Sequence, residues 1–90
     1  MVPIEIYTTP MCPYCEDAKA LLMRKGAAYT EINVLGNRER RREMIERASG
    51  CSTVPQIFIG ATHVGGCDEL YALDETGDLD RLLSSESELA

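Results

Sequence analysis

The sequence lacks three features that would point to common classes of partner. It has no basic excess, because 15 acidic and 9 basic residues give a net charge of −6, whereas binding to nucleic-acid phosphates requires a basic face. No run approaches the ~20 apolar residues needed to cross a bilayer. The opening segment MVPIEIY has neither the basic nor the apolar region of an export signal. We therefore predict a cytoplasmic protein that binds neither nucleic acid nor membranes.

Cysteine is sparse, and its spacing argues against two structural uses. The 90 residues include four cysteines, at positions 12, 15, 51 and 67, which are too few for a secreted scaffold held by disulfides. A four-cysteine zinc site usually has two closely spaced pairs, but fifteen residues separate Cys51 from Cys67. We therefore predict no metal site. We expect Cys51 to be a structural or incidental thiol, since free cysteine commonly packs as a small apolar side chain.

Hydrophobic periodicity predicts an α/β fold. Period-2 alternation indicates strands and helical spacing indicates helices. Their order is strand 2–8, helix 13–25, strand 28–34, helix 38–48, strands 56–59 and 62–64, helix 67–73 and a helical turn at 79–83. The first two strands should be parallel because a helix joins them, and Gly60-Ala61 suits a hairpin loop between the last two. The predicted architecture is a mixed four-stranded sheet with helices on both faces (β-α-β-α-β-β-α). One domain should fill residues 1–83, and the polar residues 84–90 should form a flexible tail.

The segment Cys12-Pro13-Tyr14-Cys15 carries the strongest chemical signal. With Cys12 at the cap of the first helix, Pro13 takes the first helical position, where a missing N–H costs nothing. Cysteines three apart on a helix share a face and can reach disulfide distance. The helix N-terminus offers unpaired N–H groups and partial positive charge, which stabilise a thiolate at the first sulfur. We therefore predict that Cys12 is a nucleophile and that Cys15 resolves mixed disulfides, the pattern of a thioredoxin-like redox site.

Three segments of the chain resemble the dithiol glutaredoxin family, in order and in spacing. Ile6–Cys15 (IYTTPMCPYC) is similar to the family's active-site segment, Thr53–Ile59 (TVPQIFI) to its loop with a cis proline, and Gly65–Leu70 (GGCDEL) to its third-helix motif. The likeness covers residues 2–83 and looks closest to the bacterial glutaredoxin 3 type. It implies a thioredoxin-like fold and a glutathione-dependent thiol–disulfide oxidoreductase.

The resemblance also implies which residues contact glutathione, the co-substrate. They come from all three segments: Tyr14, Thr53, Val54, Pro55, Gly66, Cys67 and Asp68. The backbone of Val54 beside a cis proline can pair with a peptide ligand as an added strand, and the helix that follows Gly66 offers an N-terminus suited to a carboxylate. Simpler alternatives exist: Asp68 caps its helix, Pro55 begins a strand, and Tyr14 is a surface aromatic.

Position 9 departs from the family pattern. Many glutaredoxins carry there a lysine that is assigned to the glycyl carboxylate of glutathione and to thiolate stabilisation, whereas this chain has Thr9. Lys19, Arg38, Arg40 and Arg41 are the candidate substitutes. The arginines lie in a helix where glutamates interleave at i,i+3 and i,i+4 spacing, so the simpler expectation is a solvated, salt-bridged helix face.

The resemblance further implies partners. These are glutathione and proteins with glutathionylated or disulfide-bonded cysteines, ribonucleotide reductase among them, and it implies no permanently bound cofactor. A monomer is the default expectation for the oligomeric state. Two alternatives remain open: a redoxin that takes electrons from thioredoxin reductase, and an iron–sulfur carrier that bridges two glutathione-bound subunits. The carrier role in the family favours a Cys-Gly-Phe-Ser motif, whereas Pro13-Tyr14 is bulkier and stiffer beside Cys12.

Overall fold

The structure, a computed structural model, describes residues 2–84. Its elements in chain order are β1 (Ile4–Thr8), α1 (Pro13–Arg24), β2 (Thr30–Asn33), α2 (Arg38–Arg47), β3 (Gln56–Ile59), β4 (Thr62–Gly65), α3 (Cys67–Thr76) and α4 (Asp78–Ser84). The strands form one sheet in the order β2-β1-β3-β4. Strands β1 and β2 are parallel, and the other two pairs are antiparallel. The predicted thioredoxin-like α/β fold with a mixed four-stranded sheet is therefore confirmed.

The element boundaries differ from the prediction mainly near the end of the chain. Helix α3 continues past its predicted end at Leu73 to Thr76, because the helix stops only where Gly77 takes a φ of 82°, a conformation that glycine adopts readily. The predicted last turn is the helix α4. Of the predicted tail, Ser84 is the last residue of α4, and residues 85–90 lie outside the described residues, so the domain boundary stays a prediction. No helix within residues 2–84 is long and apolar enough to cross a membrane.

Strand β1 is buried on both faces, because helices cover the sheet from both sides as predicted. On one face Ile6 packs with Leu21 of α1 and Leu70 of α3. On the other face Tyr7 packs with Met44 of α2. All five side chains have 0–1% of their surface exposed. The strand that leads into the Cys12 segment is therefore covered by helices on both sides, and only Glu5 of its five residues is partly exposed.

The buried phenol of Tyr7 joins β1 to α2. Its hydroxyl donates to Glu43 Oε2 at 2.5 Å and accepts from Arg47 Nη1 at 2.8 Å. Arg47 also donates to Glu5 Oε1 at 2.8 Å, and its guanidinium lies 4.2 Å from the ring centroid of Phe58. The hydrogen bond from Tyr7 is the main cause that lowers the pKa of the Glu43 carboxyl. Helix α2 is thus attached to the sheet by polar as well as apolar contacts.

Tyr7→Phe should lower the free energy of unfolding by about 1–2 kcal/mol, because Glu43 and Arg47 lose their shared partner. The deficit should be largest near neutral pH. A carboxyl whose folded-state pKa is lowered contributes stability above its unfolded-state pKa, and that stability is lost as the pH falls through the folded-state pKa. Urea unfolding at about pH 7 and below about pH 4 measures both effects, with Tyr29→Phe at a half-buried tyrosine as the control. An equal deficit at both pH values would show that Glu43 takes no part.

Candidate active site

The sulfur of Cys12 lies where β1 leads into α1. Cys12 is the N-cap residue of α1 and Pro13 occupies its first turn, as the sequence predicted. The Cys12 sulfur accepts a hydrogen bond from the backbone N–H of Cys15 at 3.2 Å. The residue before it, Met11, has a left-handed φ of 57° and a side chain that is 98% exposed. The half-buried Cys12 sulfur is thus held by the helix N-terminus at a point that a substrate can approach.

Cys15 is buried one turn inside α1. Burial is the largest cause that raises the pKa of its thiol, and the hydrogen bond with Cys12 adds to it. The backbone N–H of Thr9 and the charge of Lys19 act in the opposite direction. All four cysteines are free thiols. In this reduced form Cys15 therefore stays protonated beside the more accessible sulfur.

The loop before β3 is held by a buried glutamine. Within this loop the Val54–Pro55 peptide bond is cis, as the resemblance implied. The Gln56 side chain donates to the carbonyl of Thr53 at 3.0 Å and to its hydroxyl at 3.2 Å. The amide oxygen of Gln56 lies 2.7 Å from His63 Nε2 on the neighbouring strand. These contacts fix Thr53 relative to the sheet.

Two glycines lead from β4 into α3. Gly65 has a φ of 112°, which side chains rarely allow, and a Cβ added at Gly66 would lie 3.2 Å from Glu69 Oε1. Glu69 accepts a hydrogen bond from the Gly66 backbone N–H at 2.8 Å. Among residues 2–84, the Asp68 carboxylate has no hydrogen bond or ion pair. The side-chain cap considered for Asp68 is therefore supplied by Glu69.

The seven residues predicted to contact glutathione surround one groove at the N-terminus of α1. The groove has a volume of about 150 Å³. Its lining consists of Tyr14, Thr53, Val54, Pro55, Gly66, Cys67, Asp68 and Glu69. Sequence reasoning missed only Glu69, although a helix-capping position followed three residues later by glutamate is a recognisable signal. The structure brings these side chains together, and their role in binding stays a prediction.

The other two cysteines differ in exposure. Cys67 is buried at the start of α3, and its burial, followed by the charges of Asp17 and Asp68, raises the pKa of its thiol. It therefore forms part of the groove wall as a protonated thiol. Cys51 is exposed, so of the two alternatives expected for it, a structural or an incidental thiol, the packed structural thiol is wrong and the incidental thiol agrees with the structure. No group of three or more His, Cys, Asp and Glu side chains in the described part of the chain is placed to hold a metal ion.

Lys19 is the basic residue of α1 that follows Cys15 by one helical turn. Its ammonium contacts Glu16 Oε2 at 2.8 Å and Glu31 Oε2 at 3.0 Å. Glu31 also accepts a hydrogen bond from the hydroxyl of Thr8 at 2.8 Å. The hydrogen bond from Thr8, followed by that from Lys19, lowers the pKa of the Glu31 carboxyl. The charge of Lys19 is thus already shared between two carboxylates.

The arginines of α2 are only partly salt-bridged. Arg40 pairs with Glu43 at 3.1 Å and Arg47 pairs with Glu5 at 2.8 Å. The other arginines of this helix have no ion pair within residues 2–84: Arg38, Arg41 and Arg42. The predicted helix face is therefore solvated, but it is salt-bridged at only two of its five arginines among residues 2–84.

Alkylation of Cys15 should be slow near neutral pH and should accelerate about tenfold per pH unit on the alkaline side, because its raised pKa keeps the reactive thiolate scarce. Iodoacetamide labelling between about pH 7 and pH 10, read by peptide mass spectrometry, gives the rate at each cysteine of one molecule. The exposed Cys51 is the internal reference for reagent access. In Cys12→Ser the alkaline rise should begin at lower pH, because the sulfur that raises the pKa of Cys15 is gone. A rate at Cys15 that does not depend on pH would show that access alone limits labelling.

Comparison with known proteins identifies the family. The sequence model of the glutaredoxin family matches residues 4–64. Glutaredoxin 3 of Escherichia coli K12 is 59% identical over 83 residues, which are 92% of this chain and 99% of that protein. The solution structure of glutaredoxin from Brucella melitensis is similar with a TM-score of 0.83 at 59% identity, covering 96% of this chain and 92% of that one.

A more distant structural relative is a buckwheat glutaredoxin, crystallised as a glutaredoxin–glutathione complex. It has a TM-score of 0.83 at 29% identity, covering 93% of this chain and 78% of that one. Sequence and structure thus agree over nearly the whole described chain. The chain belongs to the glutaredoxin family of thiol–disulfide oxidoreductases and is similar to bacterial glutaredoxin 3.

Proposed function

We propose that the protein reduces disulfides with glutathione as the electron donor, through a Cys12 thiolate and with Cys15 as the resolving thiol. One observation carries the proposal: a single groove at the N-terminus of α1 contains all seven residues that were expected to bind glutathione. Its walls are a loop with a cis proline and the N-terminus of α3. The buckwheat relative that was crystallised with glutathione supports the same ligand.

The groups around the groove complement the three parts of glutathione. Val54 offers backbone groups for strand-like pairing with the central cysteine of the ligand. The N-terminus of α3 offers the N–H groups of Cys67 and Asp68 to the γ-glutamyl carboxylate. The Asp68 side chain, unpaired within residues 2–84, is available for the adjacent ammonium. Tyr14, which is 62% exposed, would cover the sulfur of the ligand from the solvent side.

The reaction with a glutathionylated substrate takes two exchanges. The Cys12 thiolate attacks the glutathionyl sulfur, the disulfide bond breaks, and its electron pair leaves with the substrate sulfur, which takes up a proton. A second glutathione thiolate then attacks the glutathionyl sulfur of the Cys12 mixed disulfide. This step releases the Cys12 thiolate and glutathione disulfide. The net reaction consumes one glutathione thiol and turns the glutathionylated substrate into a free thiol and glutathione disulfide, and only Cys12 of the protein reacts.

Protein disulfides require Cys15 as well. After Cys12 forms a mixed disulfide with the substrate, Cys15 must lose its proton and attack the Cys12 sulfur. Forming the mixed disulfide removes the charge and the hydrogen bond at Cys12 that help to raise the pKa of Cys15, while Lys19 still lowers it. Cys15 therefore becomes easier to deprotonate when its attack is needed. Two glutathiones then reduce the Cys12–Cys15 disulfide.

The proposed setting follows from this chemistry. Glutaredoxins have reduction potentials of about −200 to −230 mV, which cytosolic glutathione can reach. Under the proposal the protein acts in the cytoplasm as a monomer. Its partners are glutathione and proteins that carry glutathionylated or disulfide-bonded cysteines, and it uses no resident cofactor.

Cys12→Ser should abolish all activity, whereas Cys15→Ser should retain reduction of a small glutathionyl disulfide and lose most reduction of protein disulfides. The reason is that a second glutathione can resolve the glutathionyl intermediate, while a bulky protein intermediate needs the neighbouring thiol. The measurement is NADPH oxidation coupled through glutathione and glutathione reductase, with a glutathionylated peptide and a disulfide-bonded protein as the two substrates.

Cys51→Ser is the control for removing a thiol, because Cys51 is exposed and does not line the groove. Replacing glutathione reductase by thioredoxin reductase in the same assay tests the alternative electron source. Equal losses in Cys12→Ser and Cys15→Ser with the glutathionyl substrate would contradict the mechanism. Activity that depends on thioredoxin reductase alone would contradict the choice of glutathione.

Asp68→Ala should raise the apparent Michaelis constant for glutathione about tenfold or more, because a charge-assisted hydrogen bond is worth about 1.5–3 kcal/mol. Stability should change little, since Glu69 supplies the side-chain cap of α3. The measurements are glutathione kinetics and urea unfolding of the same variant. Glu75→Ala, at an exposed acidic residue of the same helix, is the matched control. Normal glutathione kinetics with lowered stability would leave Asp68 only a structural role.

A further inference from the structure

The outer face of α2 carries a surface groove that the proposed glutathione site does not use. Its volume is about 310 Å³. The lining of this α2 groove consists of Arg38, Arg41, Arg42, Ile45 and Glu46. Three of these five side chains are cationic, one is apolar and one is acidic, in a protein whose net charge is −6. The α2 groove is therefore locally positive on a protein whose net charge is negative.

The cations of the α2 groove lack carboxylate partners. Within residues 2–84, Arg38 and Arg42 have neither a hydrogen bond nor an ion pair, although the same helix supplies one glutamate, Glu43, to Arg40. Helix α2 also begins with Arg38, and cations in a first turn oppose the helix dipole. Neither pairing nor helix stability therefore explains these arginines, whereas a negatively charged partner does.

The α2 groove adjoins the proposed active site. Arg41 donates from its guanidinium to the carbonyl of Ser52 at 3.2 Å, and the next residue, Thr53, lines the glutathione groove. The amide of Val34, at the end of β2, bonds to the carbonyl of Thr8 at 2.9 Å. Helix α2 therefore begins at the sheet edge from which the Cys12 loop departs.

The charge on the two sides of this edge has opposite sign. Asp68 and Glu69 line the glutathione groove from α3, whereas Arg41 and Arg42 line the α2 groove. On the α2 side, the acidic side chains of a protein substrate bound through its cysteine near Cys12 would therefore be attracted to these arginines. The apolar Ile45 in the same groove is half-buried and leaves room for one apolar side chain between acidic ones.

We propose that the α2 groove binds an acidic segment of the protein substrate, close in sequence to the cysteine that is reduced. This rests on the proposed function and extends it from the reacting sulfur to the choice of protein substrate. The occupant is an acidic polypeptide because the groove offers separated point charges and an apolar contact along a helix face. Exposed ion pairs contribute modestly, so the groove tunes the selection among substrates and leaves the thiol exchange itself unchanged.

The test uses two synthetic peptides that carry the same glutathionylated cysteine, one flanked by aspartate and glutamate and the other by asparagine and glutamine. The wild-type protein should have a kcat/KM about threefold to tenfold higher for the acidic peptide at low ionic strength. Arg42→Glu should abolish or reverse that ratio, and Arg42→Lys should keep most of it. The ratio should shrink as salt is added.

Two controls separate the α2 groove from general effects. Arg24→Glu changes the net charge by the same amount at the last residue of α1, and it should leave the ratio unchanged. All variants should reduce a small glutathionylated thiol without charged neighbouring groups at the wild-type rate, since Arg42 does not line the glutathione groove. A ratio of one in the wild-type protein, or an unchanged ratio in Arg42→Glu, would overturn the proposal.

A binding measurement without turnover distinguishes failure of this proposal from failure of the proposed function. A fluorescent acidic peptide with serine in place of its cysteine should bind the wild-type protein more tightly than Arg42→Glu, even if no glutathione-dependent turnover is found. Sedimentation of the wild-type protein tests a second copy of the chain as the occupant. A dimer that Arg42→Glu dissociates would assign the α2 groove to self-association and overturn the substrate proposal.

Discussion

The pairing of β1 with β3 is the constraint on which the active-site edge depends. The two strands are antiparallel and place Gln56 opposite Tyr7, so the loop before Gln56 meets the loop after Thr8. Strand β4 is antiparallel to β3 and therefore ends at that same edge, where it leads into α3. Three segments that are far apart in the sequence converge there because of strand order and direction.

Burial of β1 on both faces fixes the position of this sheet edge relative to the helices. Ile6 and Tyr7 point to opposite faces and are both fully covered, so the strand cannot shift without exposing one core. The loops beyond it are then attached by side chains that the core itself anchors. Gln56 is buried and holds Thr53, and Glu69 holds the backbone of Gly66. The groove is therefore formed by one loop and by the N-termini of two helices, and their positions are set by the packed core.

The parts of the site that sequence predicts are those that depend on neighbours along the chain. Cys12 at the helix cap with Pro13 after it is a local pattern, and strand alternation and the hairpin at Gly60 are local as well. The features that sequence reasoning missed are contacts between side chains that are distant in sequence and that the packing of strands and helices brings together. Gln56 meets His63 across two strands, and Lys19 meets Glu31 across a strand and a helix. The resemblance to a family supplied the residues of the groove, but only the structure shows that Glu69 replaces Asp68 as the cap.

The threonine at position 9 is compatible with the proposed thiolate chemistry, because backbone groups at the start of α1 already lie at the Cys12 sulfur. Lys19 is engaged by Glu16 and Glu31, whose hydrogen bonds raise the pKa of its ammonium, so its charge is largely compensated. What faces the Cys12 sulfur is the N–H of Cys15 and the N-terminal end of α1. These backbone groups carry partial charges that are fixed in direction and need no ordering of a flexible side chain. The proposed stabilisation of an anionic Cys12 sulfur therefore uses backbone groups of α1, and the proposed selection of acidic substrates uses the exposed arginines of α2.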